Sequence, residues 1–412
     1  MTMTSIARDR PLDLVYFSGV DWGYTWQRPQ QLASRLSRHG KVLYVDPLGL
    51  RSLRLSDLPR IVGRAAERLG LPRERRPERG LTLSAAPLAY LPFPTSAAAT
   101  RINGRLLRRA VARWMRRSDV GAPVIWVGTP SAAVLEAITG LPARLLVYDC
   151  LDRFTLFHED GEAIARTEQA IVSRVDVVLT ASRELYESMG RLNPRTFLVP
   201  NAADYAHFSK AASPREPPAA LAGLSRPILG YFGEIAHWFD VQAVRSLAAS
   251  RPGWSLVLIG PLHTAAAGSL LDLPNVHYLG RRPYHELPRY LAHFDVCLLP
   301  FRVSELTSAT NPVKLYEYLA SGRPVVSTPL PEVLPYRDVV RIAEPSALVE
   351  AVEASLQASG DREAAGRRMA VAHANTWDHR VEQILGILET AGGGAGSVGS
   401  AGQREPPPRS LS

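Results

Sequence analysis

The strongest constraint on the fold is a regular alternation of short apolar runs with amphipathic segments of helix length, which extends along nearly all 412 residues. This alternation predicts parallel sheets whose strands are connected by crossover helices, and so an α/β fold. Because the chain is too long for one ordinary hydrophobic core, we expect two domains with a cleft between them. The predicted strands are 13–17, 41–45, 124–127, 144–148, 177–180 and 196–199 in the first half, and 228–233, 255–260, 276–280, 296–300 and 325–328 in the second.

The link between the two halves is predicted near residue 203, where a turn-like segment, Pro200–Asp204, precedes a proline-rich stretch. Residues 1–203 and 204–377 are therefore expected to form two domains, each with a doubly wound sheet. A helix over 378–391 is predicted to pack back on the first domain. Residues 392–412 consist mainly of Gly, Ser, Ala and Pro, which predicts a disordered tail.

Composition limits the class of protein. Only two cysteines occur, Cys150 and Cys297, and each lies in an apolar run. This predicts buried free thiols in a reducing compartment rather than a disulfide or a zinc site. No segment approaches the ~18 consecutive apolar residues of a membrane span, and residues 1–10 lack the apolar region of a signal peptide. We therefore expect a cytoplasmic protein.

The segment 311–326 carries the clearest functional signal. Asn311 is suited to cap a helix and Pro312 to begin it, so the free N–H groups of the first turn would face a bound anion such as a diphosphate. Lys314 and Glu317 are three residues apart and share one helix face, where an ammonium can neutralise phosphate and a carboxylate can bind a ribose diol. Lys314 is one of three lysines among 48 basic residues. The alternative is an ordinary surface pair.

The loop after the first predicted strand is a second candidate. Gly19 and Gly23 would let the backbone approach a phosphate or a sugar, although a plain strand-to-helix turn is the alternative. Asp21 lies between these glycines. Trp22 and Trp26 offer flat apolar faces to sugar rings, and aromatic residues so near a strand are also often part of a core.

Three further side chains are candidates for acid–base chemistry. Asp149 and Asp152 follow a predicted strand, where a carboxylate can accept the proton of an acceptor hydroxyl; Asp152 is equally suited to cap a helix. His237 lies in the loop that opens the second domain and is suited to bind phosphate or sugar. A structural role is the alternative for each.

The positive charge is concentrated in one region, because residues 51–117 contain sixteen arginines and only four acidic residues. Within it, the segment 104–117 places Leu107, Val111 and Trp114 on one stripe with arginines around them. Such a helix fits an anionic lipid surface, so we predict peripheral contact with the inner face of the plasma membrane. The alternative is a helix that packs on its own sheet and exposes its basic side. The residues predicted to face the membrane are Trp114, Arg105, Arg108, Arg109 and Arg116. No nucleic-acid-binding motif accompanies this charge.

Four motifs follow one another along the chain: Trp26-Gln27-Arg28-Pro29-Gln30-Gln31-Leu32, Pro200-Asn201-x-x-Asp204-x-x-x-Phe208, Gly230-Tyr231-Phe232-Gly233 and the segment 311–326. In this order they resemble the GT-B glycosyltransferases, and within them the family 4-like enzymes that use nucleotide sugars to build bacterial envelope polysaccharides. The first and last motifs are most similar to a subgroup associated with teichuronic-acid-type polysaccharides.

The resemblance implies two Rossmann-like domains that face an interdomain cleft, with the acceptor on the side of residues 1–203 and the donor on the side of residues 204–377. It implies that Glu317 binds the donor ribose and that Lys314 stabilises the leaving diphosphate. The sugar would be transferred with retention to a glycan or lipid-linked acceptor, with no cofactor and no metal. The other predicted donor contacts are Asn311, Pro312, Gly233, Glu234, Arg302, Gly19 and Gly23, and the predicted acceptor contacts are Asp21, Trp22, Trp26 and Arg28.

The chain departs from the family pattern in two places. Many relatives carry an Arg and a Lys in the loop after the first strand of the second domain, where this chain has neither over residues 233–240. Relatives often carry a second glutamate eight residues before Glu317, where this chain has Ala309. Two other hypotheses stay open: an epimerase of the same fold that acts on a nucleotide sugar, and a non-catalytic scaffold that binds nucleotide or sugar, which the missing carboxylate at Ala309 favours. An epimerase would interconvert donors without an acceptor, and a scaffold would bind nucleotide without consuming donor.

Overall fold

In the computed structural model, the described residues are 11–47, 74–84, 96–157, 160–213 and 216–393, and they form two sheets. The first sheet has eight strands in the order β3-β4-β2-β1-β5-β6-β7-β8. They are β1 (Leu14–Phe17), β2 (Val42–Val45), β3 (Glu74–Glu78), β4 (Leu81–Ser84), β5 (Val124–Val127), β6 (Leu145–Cys150), β7 (Val177–Thr180) and β8 (Thr196–Leu198).

The second sheet has six strands in the order β11-β10-β9-β12-β13-β14, and all of its pairs are parallel. They are β9 (Ile228–Phe232), β10 (Ser255–Ile259), β11 (Val276–Gly280), β12 (Val296–Leu299), β13 (Val325–Ser327) and β14 (Arg341–Ile342). Two such sheets with crossover helices confirm the predicted α/β fold with two Rossmann-like units.

The central strands are buried on both faces, which is why they read as unbroken apolar runs in the sequence. Three strands were not predicted, namely β3, β4 and β14. Strand β3 pairs antiparallel with β4 at the edge of the first sheet, and its sequence, Glu-Arg-Arg-Pro-Glu, lacks any apolar periodicity. Proline and charge are typical of edge strands, so these residues carried no strand signal.

Helices cover both sheets. In the first half they are α1 (Arg28–Leu36), α2 (Ala97–Arg117), α3 (Ala132–Ile138), α4 (Gly161–Val172), α5 (Arg183–Gly190) and α6 (Tyr205–Phe208). In the second half they are α7 (Val241–Ser250), α8 (Gly268–Leu271), α9 (Leu287–Leu291), α10 (Glu305–Ser308), α11 (Val313–Ala320), α12 (Leu348–Gln357), α13 (Arg362–Ala374) and α14 (Trp377–Gly393). Nowhere in the described ranges is a helix both long and apolar enough to cross a membrane.

The last helix, α14, packs on the first sheet although it follows the second in sequence. Trp377, Val381, Ile384 and Leu388 are buried in a cluster with residues of β1, β2, β5, β6 and β7. The chain passes from the first unit to the second near Ala203 and returns near Asn375. These two crossings lie side by side, since the N–H of Ala203 donates to the Asn375 carbonyl at 3.0 Å. The boundary at residue 203 stays a prediction, and residues 394–412, predicted to be a tail, lie outside the described residues.

Helix α2 corrects one part of the membrane prediction. Leu107, Val111 and Trp114 are buried against α3 and the first sheet, so this apolar stripe is not available to a lipid surface. Arg108 is half-buried, and its Nη2 lies 3.6 Å from Oε1 of Glu136 on α3. Three of the predicted arginines, Arg105, Arg109 and Arg116, are exposed on the opposite side.

Candidate active site

A large cleft separates the two sheets at the carboxyl ends of their central strands. Its volume is about 1150 Å³, somewhat above the roughly 300–1,000 Å³ typical of ligand sites. Its walls come from the loops that follow β1 and β6 in the first unit, the loops that follow β9, β10 and β11 in the second, and the start of α11. Ligands of open α/β sheets bind at this edge because the connecting loops converge there.

Helix α11 begins one residue later than the sequence predicted. Pro312 is the N-cap residue and Val313 the first helical residue, so the prediction of Asn311 as the cap is wrong. The Asn311 amide group instead donates hydrogen bonds to Glu332 at 2.7 Å and to the Tyr316 hydroxyl at 3.2 Å. Its carbonyl oxygen accepts from the backbone N–H of Asn201. Asn311 therefore lines the cleft while its side chain connects the two units.

Lys314 and Glu317 share one face of α11, as predicted, and both line the cleft. Glu317 is only 6% exposed. Burial raises the pKa of Glu317 to about 8, against the lowering effect of the Lys314 ammonium. Burial likewise lowers the pKa of Lys314, while the negative charges of Glu317, Glu234 and Asp152 raise it. Within the described part of the chain, neither side chain makes a hydrogen bond.

Position 233 requires a glycine, because the Lys314 side chain runs directly past its backbone. Its φ of 136° lies in the region that favours glycine, and a Cβ at this position would collide with Cε of Lys314. The Lys314 ammonium lies 5.7 Å from the ring centre of Tyr231 and 5.6 Å from that of Phe301. The β9 loop and these two rings thus guide the lysine stem into the cleft.

Asp152 also lines the cleft, opposite α11. It accepts a hydrogen bond of 3.2 Å from the Thr310 hydroxyl. Burial raises the pKa of Asp152 to about 7, against the lowering effects of this hydrogen bond and of Lys314. A carboxylate that titrates near neutral pH and faces a cleft is suited to acid–base catalysis.

Asp149 and Arg28 are not in the cleft, so the predictions of a catalytic and an acceptor role for them are wrong. Both side chains are buried, and Nη2 of Arg28 lies 2.8 Å from Oδ1 of Asp149. Trp126 Nε1 and the Tyr16 hydroxyl also donate to Asp149, each at 3.3 Å. Asp149 is the last but one residue of β6. Because side chains alternate along a strand, its carboxylate lies on the same face of the sheet as Tyr16 and Trp126, away from the cleft.

His237 and Arg302 are also misplaced by the sequence interpretation. Both are exposed and neither lines the cleft. The His237 ring packs edge-on against Trp238 with ring centres 4.9 Å apart. The Arg302 backbone N–H donates to the Trp238 carbonyl at 2.8 Å.

The loop after β1 does line the cleft. Gly19, Asp21, Gly23 and Trp26 contribute to its wall. Trp22 does not, because its ring packs edge-on against Trp26 and Tyr44 with ring centres 5.1 and 5.0 Å apart. Gly233 and Glu234, the predicted donor contacts of the second unit, line the opposite wall.

Several cleft residues were not predicted. Tyr24 reaches the second unit, where its hydroxyl donates to Oε1 of Glu234 at 2.6 Å. Arg281, Arg282 and Tyr284 follow β11 and supply positive charge and an aromatic face. Their position directly after a predicted strand was the available signal, because strand ends are where ligands bind.

Ala309 is fully buried and packs with the apolar cluster between the first sheet and its helices. The position eight residues before Glu317 therefore faces the first unit and not the open cleft. The neighbouring Thr307 and Thr310 do line the cleft, and Glu305 pairs instead with Arg153, at 3.4 Å.

Residues 226–358 match the family model described as glycosyl transferases group 1. These residues include β9 to β14, the Gly233 loop and α11, which is the donor-facing half of the cleft described above. With the two sheets and the cleft between them, this match defines the chain as a glycosyltransferase of the GT-B fold. The predicted fold and enzyme class are confirmed.

Among curated proteins, the chain is similar to the putative teichuronic acid biosynthesis glycosyltransferase TuaH of Bacillus subtilis, strain 168. The two are 28% identical over 284 residues, which are 63% of this chain and 70% of TuaH.

Solved structures share the fold at low sequence identity. Sucrose-phosphate synthase of Thermosynechococcus elongatus superposes with a TM-score of 0.66 at 15% identity, over 92% of this chain and 98% of that one. Anabaena HepE in complex with UDP-glucose superposes with a TM-score of 0.61 at 16% identity, over 92% and 99%.

Proposed function

We propose that this glycosyltransferase moves a sugar from a nucleoside-diphosphate sugar to a glycan or lipid-linked acceptor, with retention of the anomeric configuration, in the synthesis of a cell-surface polysaccharide. One observation supports the donor site above all others. Lys314, which is half-buried, and Glu317, which is buried, both line the cleft from one face of α11, and neither has a hydrogen-bond partner among the described residues. The phosphates and hydroxyl groups of a nucleotide ligand would supply the partners that these two ionisable side chains lack.

In this proposal the donor diphosphate lies against the first turn of α11 and the Lys314 ammonium. The free N–H groups at the helix start and the lysine both favour negative charge. Glu317 binds the ribose hydroxyls one helical turn further on. The wide cleft leaves room for the transferred sugar between α11 and the first unit.

The transfer step breaks the bond between the anomeric carbon and the leaving phosphate oxygen, and forms a bond from that carbon to the acceptor oxygen. Negative charge develops on the leaving diphosphate, where Lys314 and the helix amides stabilise it. The acceptor hydroxyl loses its proton, which Asp152 is placed to accept from the opposite wall. Retention is inferred from the family resemblance alone.

We propose that no metal or cofactor takes part, because Lys314 and the α11 amides supply the charge that a metal would otherwise provide. In the described ranges no group of three or more His, Cys, Asp or Glu side chains is arranged to hold a metal ion. Addition of a divalent cation, or of a chelator, should leave the transfer rate unchanged.

The acceptor and the location are proposed from two features. TuaH, to which the chain is similar, is described by its name as a putative enzyme of teichuronic acid biosynthesis. Exposed arginines of α2, namely Arg105, Arg109 and Arg116, form a basic side that suits an anionic lipid surface at the inner face of the membrane. The contact is electrostatic, since the apolar stripe of α2 is buried.

The donor site is tested by a thermal-shift screen with UDP, GDP, ADP and dTDP, alone and as sugar conjugates. A ligand that binds the folded protein raises its melting temperature. One nucleotide should stabilise the wild type, and Glu317→Ala should lose most of that shift. Glu350→Ala, an exposed glutamate on α12, is the matched control and should keep it.

Two outcomes would contradict the proposal. If no nucleotide stabilises the wild type, or if Glu317→Ala responds as well as Glu350→Ala does, the donor site is misplaced. Incubation of the identified donor without acceptor then separates the other hypotheses: interconversion of sugar epimers indicates an epimerase, and bound but unconsumed donor with every acceptor indicates a scaffold.

A further inference from the structure

Tyr24 spans the cleft from the first unit to three loops of the second. Its hydroxyl donates to Oε1 of Glu234, after β9, at 2.6 Å. Nε2 of His263, after β10, lies 3.4 Å from the same hydroxyl. The guanidinium carbon of Arg281, after β11, lies 4.9 Å from the centre of the Tyr24 ring. One side chain of the β1 loop thus contacts the loops that follow β9, β10 and β11.

This contact leaves space for a ligand. The volume of about 1150 Å³ is measured with the Tyr24–Glu234 hydrogen bond formed, and both residues belong to the wall of the cleft. A nucleotide sugar is within the size range of the ligands that such cavities bind. The contact therefore does not have to break when the site is filled.

Glu234 also competes for the cation of the site. Its charge is one of three, with those of Glu317 and Asp152, that raise the pKa of Lys314. Glu234 directly follows Gly233, against which the Lys314 Cε and Nζ atoms lie, so its carboxylate can turn to this ammonium when nothing else holds the carboxylate. A diphosphate needs the same ammonium, so free movement of Glu234 would oppose donor binding.

We propose that Tyr24 is a positioning residue for the donor. Its hydroxyl holds the Glu234 carboxylate and so leaves the Lys314 ammonium to the phosphates. The same hydrogen bond connects the β1 loop to the donor-binding unit across the cleft. This inference rests on the donor site proposed above, since the ligand it concerns is a nucleoside diphosphate.

The variant Tyr24→Phe tests it, because it removes the hydroxyl and keeps the ring over which Arg281 lies. Affinity is measured by titration calorimetry with whichever of UDP, GDP, ADP and dTDP stabilises the wild type most. Tyr24→Phe should raise the dissociation constant about tenfold, the effect expected when a hydrogen bond to a charged group is lost. The donor KM should rise similarly, while kcat at saturating donor stays within about twofold.

The decisive comparison is made in a Glu234→Gln background. A neutral amide still accepts the Tyr24 hydrogen bond but does not compete for Lys314, so there Tyr24→Phe should change the dissociation constant less than about twofold. Tyr186→Phe, at an exposed tyrosine of α5, is the matched control and should leave the affinity unchanged. Equal losses in both backgrounds would overturn the proposal, because the hydroxyl would then act independently of the Glu234 charge.

Failure of this inference and failure of the donor site give different results. If none of the four nucleotides binds the wild type, the donor site fails and the role of Tyr24 fails with it. If the wild type binds and Tyr24→Phe binds equally well, only the role of Tyr24 is overturned. Amide hydrogen exchange of the ligand-free protein gives a second readout: the loops 18–27 and 233–240 should exchange faster in Tyr24→Phe than in Tyr186→Phe, and equal rates would contradict the connection across the cleft.

Discussion

Arg28 and Asp149 in the first unit and Lys314 and Glu317 in the second are two sets of opposite charges, and they differ in what satisfies them. Asp149 receives hydrogen bonds from Arg28, Trp126 and Tyr16, and the remaining Arg28 nitrogen donates to the Val199 carbonyl at 2.7 Å. Lys314 and Glu317 interact through their charges alone. The first pair is held by several hydrogen bonds inside the fold, whereas the described residues give Lys314 and Glu317 none.

The number of hydrogen-bond partners therefore distinguishes a structural charged residue from a ligand-binding one more reliably than the residue type does. The carboxylates of Asp149 and Glu317 both follow the pattern expected of a ligand site, because Asp149 lies near the end of a strand and Glu317 lies in the first half of a short helix. Only the pair that lacks partners borders the cleft. A satisfied buried pair orders the first sheet, and an unsatisfied one binds a ligand.

The largest expected effect concerns stability. Arg28→Ala leaves the Asp149 charge buried without its partner, and we expect the free energy of unfolding to fall by about 3–5 kcal/mol. Urea unfolding followed by circular dichroism measures this. Arg166→Ala removes an exposed arginine that pairs with Glu162 at 3.6 Å, and it should cost less than about 0.5 kcal/mol. Similar midpoints for the two variants would show that the Arg28–Asp149 pair does not order the fold.

The next effect is on catalysis. Lys314→Ala should lower kcat by roughly 10²–10³-fold with little loss of folded stability, because a fixed cation stabilises charge that develops on the leaving diphosphate. Steady-state kinetics at saturating donor measures it, with Lys210→Ala, at an exposed lysine, as control. A kcat for Lys314→Ala equal to that of the control would remove Lys314 from the mechanism. Lys314→Arg should not restore the rate, since the flat guanidinium does not follow the path beside Gly233.

The smallest effect is on pH dependence. The pKa of Asp152 is raised to about 7, so this carboxyl is mostly protonated at pH 6 and mostly ionised at pH 8. A base must be ionised to accept a proton, and we therefore expect kcat at saturating donor to increase about tenfold from pH 6 to pH 8. Asp152→Asn should be slower and its profile flat over this range. A profile for the variant that still rises would assign the ionisation to another group.

The fold was predictable because its central strands are buried on both faces, and such strands appear in the sequence as short apolar runs between helices. The edge strand β3 was not, since a charged segment with a proline is placed in the sheet by its pairing with β4 and not by its own composition.

Site residues could be predicted from the sequence where their proximity depends on spacing within one helix. They could not be predicted where it depends on the direction in which a side chain points in the folded protein. Lys314 and Glu317 are brought together by one helical turn, which the sequence shows. Asp149 lies at the end of β6 and Asp152 follows it, but only the three-dimensional path places one beside Arg28 and the other beside Thr310. Tyr24 was missed because its partner, Glu234, is 210 residues away in the chain.

The placement of α14 determines when the first unit can finish folding during translation. The first sheet is complete in sequence at Leu198, but the face that receives Trp377, Val381, Ile384 and Leu388 remains uncovered until the ribosome has made the whole second unit. At ~5–20 residues per second that interval is roughly ten to forty seconds. In the nascent chain the first unit therefore exposes an apolar groove throughout that time. This groove is a binding surface for chaperones, and for the same reason a chain shortened before residue 377 would aggregate.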